Sequence, residues 1–248
     1  MSTEPSRPVA LVTGAARRVG ATIARTLHAA GYDIALHHRH SAGEAAALRA
    51  QLERERPGST LGVQVDLAAI EHLPALIEDV LAHFGRLDAL VNNASAFYPT
   101  PIGSVTPTHW NELFASNAQA PFFLVQAALP ALRAARGAIV NLVDIYAERA
   151  LAGHPVYVMA KAALAAMTRT LAQDLAPEVR INGVAPGAVL WPAEGKDYDD
   201  RAALLARTPL GRAGTPEDVA SAVLWLLRDA PFVTGQIIRV DGGRTLAV

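Results

Sequence analysis

The 248-residue sequence contains no cysteine, which removes disulfides, zinc–thiolate sites and cysteine nucleophiles together. It also lacks a charge imbalance. Lys and Arg number 22 against 23 Asp and Glu, and no block of one sign could track a nucleic-acid backbone or an anionic membrane. No apolar run approaches the length of a membrane span, and the opening MSTEPSRPVALVTG has too short an apolar stretch for a signal peptide. The expectation is a soluble cytoplasmic protein with a small-molecule substrate and neither nucleic acid nor membrane as partner. Apolar residues make up 51% of the chain, enough for a sizeable core. No linker, repeat or low-complexity stretch divides it, so one domain over 1–248 is expected.

What is present is an alternation. Short β-branched runs, VALVT, DIALHH, LGVQVD, ALVNNA, AIVNLV, RINGVA and QIIRVDGG, are separated by Ala- and Leu-rich stretches with helical spacing. Seven buried-looking strands between helices predict an α/β fold: a Rossmann-like, doubly wound parallel seven-stranded sheet with helices on both faces. Two helix starts have a mechanism. SAGE from Ser41 is a capping-box pattern, and TPED from Thr215 places an N-cap before a proline at the first helical position. Residues 190–215, rich in Pro, Gly and charge, follow a strand; they suit a substrate loop folding over a ligand, or an ordinary surface loop with a short helix.

Three strand ends carry unusual residues: TGAARRVG from Thr13 to Gly20, Asn92-Asn93-Ala94, and Pro186-Gly187. In an open α/β sheet that edge is where ligands sit, and a tight turn feeding a helix can aim backbone amides at a phosphate. After the second strand, LHHRHS has no acid to hold the 2′-hydroxyl of NAD ribose. Arg39, His40 and Ser41 can instead meet a 2′-phosphate, which favours NADPH. Ser41 also fits a plain N-cap. No metal site is expected from the histidines there, because adjacent strand residues point to opposite faces.

Tyr157 and Lys161 stand four apart in VYVMAKAALAAMTRTLAQDLA, a segment of good helix formers, which puts both on one helix face. A nearby ammonium is expected to lower the phenol's pKa, making Tyr157 a proton donor activated by Lys161.

These motifs resemble the short-chain dehydrogenase/reductase family over nearly the whole chain, and within it the pteridine reductases. The family's first turn carries three glycines; here Arg18 replaces the middle one, as in pteridine reductases, and NNASAFYPTP with Asp144, Tyr157 and Lys161 matches the same subgroup. The resemblance implies catalytic roles for Asp144, Tyr157, Lys161 and Asn117, the last supporting a relay water unless it only packs in its helix. It implies cofactor contacts at Gly14, Arg18, Val19, Gly20, His38, Arg39, His40, Ser41, Asp66, Leu67, Asn93, Ala94, Ser95, Tyr157, Lys161, Pro186 and Gly187. Asp66 would bind adenine, or else merely turn its loop. Substrate contacts are implied at Arg18, Ser95, Phe97, Asp144, Tyr157 and Leu190, with Phe97 stacking on a pterin or simply filling core, and a homotetramer is implied. Two departures stand out: Arg39 and His40 occur in reverse order, and Val189 replaces a serine.

Asp144 directs the choice of reaction. Ketone-reducing relatives place a serine hydroxyl at this strand end to donate to the substrate carbonyl, which an ionised carboxylate cannot do. Hydride addition to the C=N bond of a dihydropterin requires instead a proton on the adjacent ring nitrogen, which a buried carboxyl beside Tyr157 can relay. The alternatives are a carbonyl reductase acting on a 3-oxoacyl or sugar ketone, and a non-catalytic NADPH-binding sensor; Asp144 as a mere loop cap is the structural one.

Overall fold

Residues 7–189 and 205–247 are described in a computed structural model of the chain, and each of the seven β-rich stretches forms a strand. The elements in order are β1 (Val9–Val12), α1 (Arg18–Ala29), β2 (Asp33–His38), α2 (Ala42–Glu55), β3 (Thr60–Gln64), α3 (Leu73–Phe84), β4 (Ala89–Asn92) and α4 (Pro107–Phe114). They continue with α5 (Ala120–Ala135), β5 (Ala138–Leu142), α6 (Pro155–Leu175), β6 (Arg180–Pro186), α7 (Pro216–Leu224) and β7 (Ile237–Val240).

The sheet runs β3-β2-β1-β4-β5-β6-β7, and every pairing is parallel. Helices cover both faces, which is why VALV in β1 and AIVNL in β5 are buried at every position instead of alternating. One core packs side chains of α1, α2 and α7 on the sheet, the other those of α3, α5 and α6. Chain direction reverses its lateral progress between β1 and β4, and the cleft at that switch point opens at the C-terminal strand ends.

The two capping motifs have different outcomes. Thr215 accepts from the Asp218 amide while the Asp218 carboxylate accepts from the Thr215 amide, and Pro216 opens α7 as expected. Ser41 stands at the N-cap position of α2 but makes no side-chain capping bond, with φ −90° and ψ 53°. The SAGE expectation fails because Glu44, the reciprocal partner, lies 3.5 Å from the Arg17 guanidinium instead.

Candidate active site

The first turn is tied to its neighbours on two sides. Thr13 Oγ1 accepts from the amides of Asn93 (2.9 Å) and Ala94 (3.0 Å), and Asn93 Nδ2 donates back to the carbonyls of Thr13 (2.8 Å) and Gly14 (3.1 Å). The Gly14 amide donates to His37 Nδ1 (3.2 Å), while His37 Nε2 lies 2.9 Å from the Val65 carbonyl. A carbonyl only accepts, so the proton sits on Nε2. Burial holds the imidazole near pKa 4 and therefore neutral. Gly20 has no room for a side chain, since a Cβ would stand 2.2 Å from the Gly14 carbonyl oxygen. Arg18 has φ +53°, the left-handed region where a side chain costs about 1–2 kcal/mol. The glycine it replaces would adopt this backbone freely.

Beyond β2, Arg39 and His40 are exposed, and His38 Nδ1 is buried without a hydrogen-bond partner. Arg39 lies 3.8 Å from Asp66 Oδ1, a pair of half-exposed side chains. Asp66 also accepts from the Ala68 amide (3.0 Å), so it turns its loop whatever else it holds. Beyond the end of β2 stand an imidazole nitrogen without a partner, His38 Nδ1, and the Ser41 hydroxyl free of capping, with Arg39 beside Asp66 and Arg17 beside Glu44 of α2. This donor set fits a phosphate-bearing dinucleotide. Val19 and Leu67 contribute to the two cores. Gly187, after Pro186 at the end of β6, is glycine for a packing reason, because a Cβ there would stand 2.8 Å from Asp241 Cα.

The proton-handling groups lie at the end of β5 and on α6. Helix α6 buries Val156, Tyr157, Ala160, Lys161, Leu164, Ala165, Thr168, Ala172 and Leu175, so the Tyr–Lys pair shares the apolar stripe that fastens the helix. Each leucine in that stripe contributes about 2 kcal/mol, which helps offset the buried lysine. Tyr157 donates its hydroxyl to Asp144 Oδ2 at 2.7 Å. Asp144 Oδ1 accepts from the Tyr146 amide at 2.9 Å, which makes Asp144 both the cap of the short turn Ile145–Ala147 and a partner of the phenol. Lys161 is 3% exposed; its Nζ donates to the Leu142 carbonyl at 2.8 Å and stands 5.8 Å from the Tyr157 ring centre.

The electrostatics differ from the expectation that Lys161 would lower the phenol. Burial and then the Asp144 charge push Tyr157 well above its ordinary pKa, because the hydroxyl points at the carboxylate and the ammonium is occupied elsewhere. Burial raises Asp144, opposed by its hydrogen bonds from Tyr146 and Tyr157. Burial lowers Lys161 to about 8, with the Asp144 charge acting the other way. The phenol is thus loaded with its proton.

Asn117 sits in a π-helical turn, Ala115–Gln119, between α4 and α5, fully buried. Its Nδ2 donates to the carbonyls of Ala96 and Leu113, both at 2.9 Å, and its Oδ1 accepts from Ser95 Oγ at 2.7 Å. Phe97 presents an edge-to-face contact to Tyr157, with ring centres 4.6 Å apart, and stacks on His154 at 4.8 Å with 11° between planes. Deeper in the sheet Asn92 donates to Asn141, and Asn141 to Thr168, each at 2.8 Å, tying β4, β5 and α6 together beneath the site.

Gly14, Asn93, Ser95, Phe97, Asn117, Asp144, Tyr157 and Lys161 therefore stand in linked groups at one sheet edge. Leu190 lies outside the described residues, as does the 190–204 part of the expected substrate loop. Among the described residues no cluster of metal-ligating side chains occurs, and no helix is long and apolar enough to cross a membrane. Sequence reading missed Thr13, His37, Arg17 and His154. Thr13 stood inside the quoted turn, but no local pattern signals that His37 reaches across to the turn.

The enoyl-(acyl carrier protein) reductase family profile matches residues 14–245. Pteridine reductase 1 of Leishmania tarentolae is 37% identical, the alignment covering 99% of each chain. A 3-oxoacyl-(acyl-carrier-protein) reductase of Staphylococcus aureus is 33% identical over 94% of this chain and 96% of its own. An uncharacterized oxidoreductase of Methylorubrum extorquens is 35% identical over 95% and 96%.

Proposed function

Because the chain belongs to the short-chain dehydrogenase/reductase family, and so is an oxidoreductase using a nicotinamide cofactor, we propose that it is an NADPH-dependent pteridine reductase converting a dihydropterin to the tetrahydro form. The observation that carries this reading is the hydrogen bond from Tyr157 to Asp144. A carboxylate on the phenol offers no donor to a ketone oxygen, but, with its pKa raised by burial, it can take up a proton from solvent and pass it to Tyr157 after the phenol has given one up. Reduced nicotinamide, when bound, supplies the hydride. Tyr157 Oη holds the proton for the ring nitrogen, Asp144 reloads it, and the Lys161 charge steadies the carboxylate. Phe97 gives a flat ring an aromatic surface beside the phenol. Ser95 and Arg18 serve the ring edge and the cofactor phosphates.

NADPH is favoured over NADH by the basic residues after β2, Arg39 and His40, together with the uncapped Ser41 hydroxyl. Arg17 joins them through its position beside Glu44. We read the whole chain as one domain working as a homotetramer in the cytoplasm, without nucleic acid or membrane as partner. Exposed Trp110, Phe122 and Met159 on α4, α5 and α6, and Trp225, Phe232 and Leu246 nearer the C-terminus, supply apolar area for subunit contacts. The absence of cysteine fits a reducing compartment.

The test is NADPH oxidation with dihydrobiopterin, dihydromonapterin and dihydrofolate beside a panel of 3-oxoacyl and sugar ketones. Turnover confined to the pterins is expected. Faster turnover of a ketone would replace the pterin reading with a carbonyl reductase, and nucleotide binding with no turnover would point to a sensor.

A further inference from the structure

Immediately after Asp144, the chain lines a cavity of about 220 Å³ together with two other segments. Tyr146, Arg149 and Leu151 come from the stretch between β5 and α6, Arg207 from the stretch before α7, and Arg244 from the stretch after β7. Three arginines line the cavity, and none of the lining side chains is acidic. The nearby carboxylates are engaged elsewhere. Glu148 binds Arg169 and Arg239, Asp241 accepts from Gly243 and Thr245, and Asp144 faces Tyr157 and the Tyr146 amide. Arg149 donates to the Arg244 carbonyl at 2.9 Å and Arg244 to the Tyr146 hydroxyl at 3.2 Å. Neither bond neutralises charge, and each guanidinium has five donors.

Among the described residues the Asp144 charge is felt by Arg244 but no carboxylate pairs with any of the three arginines, and like charges lining one cavity are unfavourable unless something anionic completes them. The cavity is too small for a whole ring-bearing substrate, yet its wall includes Ile145 and Tyr146, the two residues that follow the proton-handling Asp144, and the Tyr146 amide bonds that carboxylate. We propose that Arg149, Arg207 and Arg244 form a subsite for an anionic group, carboxylate or phosphate, on the side chain of the substrate, so that this enzyme prefers a pterin with a negatively charged tail. The inference rests on the pteridine reading and narrows it. Planar guanidinium groups suit either anion through paired N–H donors.

Steady-state NADPH oxidation decides it with three substrates: dihydrobiopterin, whose side chain is neutral; dihydrofolate, whose tail ends in carboxylates; and dihydroneopterin phosphate. In the wild type, kcat/KM for one of the two anionic substrates exceeds that for dihydrobiopterin, and the advantage shrinks as salt is raised. Arg149→Gln and Arg244→Gln each lower the anionic-to-neutral ratio of kcat/KM about tenfold. Arg207→Gln, at an exposed position, does so more weakly, and Arg149→Lys restores part of the loss. Which anionic substrate responds identifies the group. Turnover of dihydrobiopterin with a ratio that no arginine variant changes overturns the subsite and leaves the pteridine reading intact. Turnover of none of the three overturns both.

Discussion

The two ends of the candidate site are built differently. At the nucleotide end, Arg17, Arg39, His40 and Ser41 are exposed or half-exposed, and their pairings, 3.5 Å and 3.8 Å, are loose. At the proton end Asp144, Tyr157 and Lys161 are held by bonds of 2.7–2.9 Å, and burial displaces the pKa of all three. Exposed charge in high dielectric gives affinity in modest increments, whereas a buried proton network acts on the barrier itself. Substitutions at the proton end should therefore fall on kcat, and those at the nucleotide end on KM.

Tyr157→Phe is the strongest way to break that contrast. It removes a proton and little volume, so kcat should fall about a hundredfold or more while NADPH binding, followed by fluorescence titration, stays nearly intact. Near wild-type turnover would move the donor role to Asp144. Asp144→Ser sharpens the contrast, because serine can still cap the Ile145–Ala147 turn. Turnover with a dihydropterin should drop heavily, with little change in KM. In the wild type the Asp144 carboxylate, its pKa raised by burial, takes up the proton that reloads Tyr157 less readily as pH rises, and Lys161 loses its charge near pH 8. Turnover accordingly declines with rising pH, and the portion of the decline due to Asp144 disappears in the variant. An unchanged rate and pH profile would reduce Asp144 to a cap.

At the other end, Arg39→Ala should raise KM for NADPH roughly tenfold and leave the weaker use of NADH almost untouched. Equal losses with both cofactors would show that Arg39 does not read the 2′-phosphate. The smallest effect compares the two capping motifs. Thr215→Ala should cost about 1 kcal/mol in urea unfolding, while Ser41→Ala should leave stability within a few tenths and raise KM for NADPH a few-fold. A full capping loss at Ser41 would mean that its hydroxyl serves the helix.

The same pair shows how much of the molecule is legible in the chain. All seven strands could be read because a doubly covered parallel sheet demands unbroken apolar runs. The i, i+4 spacing alone puts Tyr157 and Lys161 on one helix face, and α6 buries both on it. Local rules failed where distant groups compete. Glu44 turns to Arg17, ending the Ser41 box, and Tyr157 turns to Asp144, reversing the expected shift of its pKa. His37 escaped notice because its partners, Gly14 and Val65, are far from it in sequence. A chain read locally cannot rank a neighbour 20 residues away against one three residues away, and function-bearing loops are where such contests occur.

Arg18 carries a consequence for anyone engineering this protein. Its left-handed backbone makes it an obvious target for thermostabilisation, since Arg18→Gly would relieve about 1–2 kcal/mol of conformational penalty and raise the melting temperature. The same replacement would delete the guanidinium from the mouth of the cofactor turn. If Arg18 serves the cofactor and substrate as proposed, a heat-tolerant variant selected only for its folding would arrive with impaired chemistry, and a screen that scores both properties would find this position to be where they part.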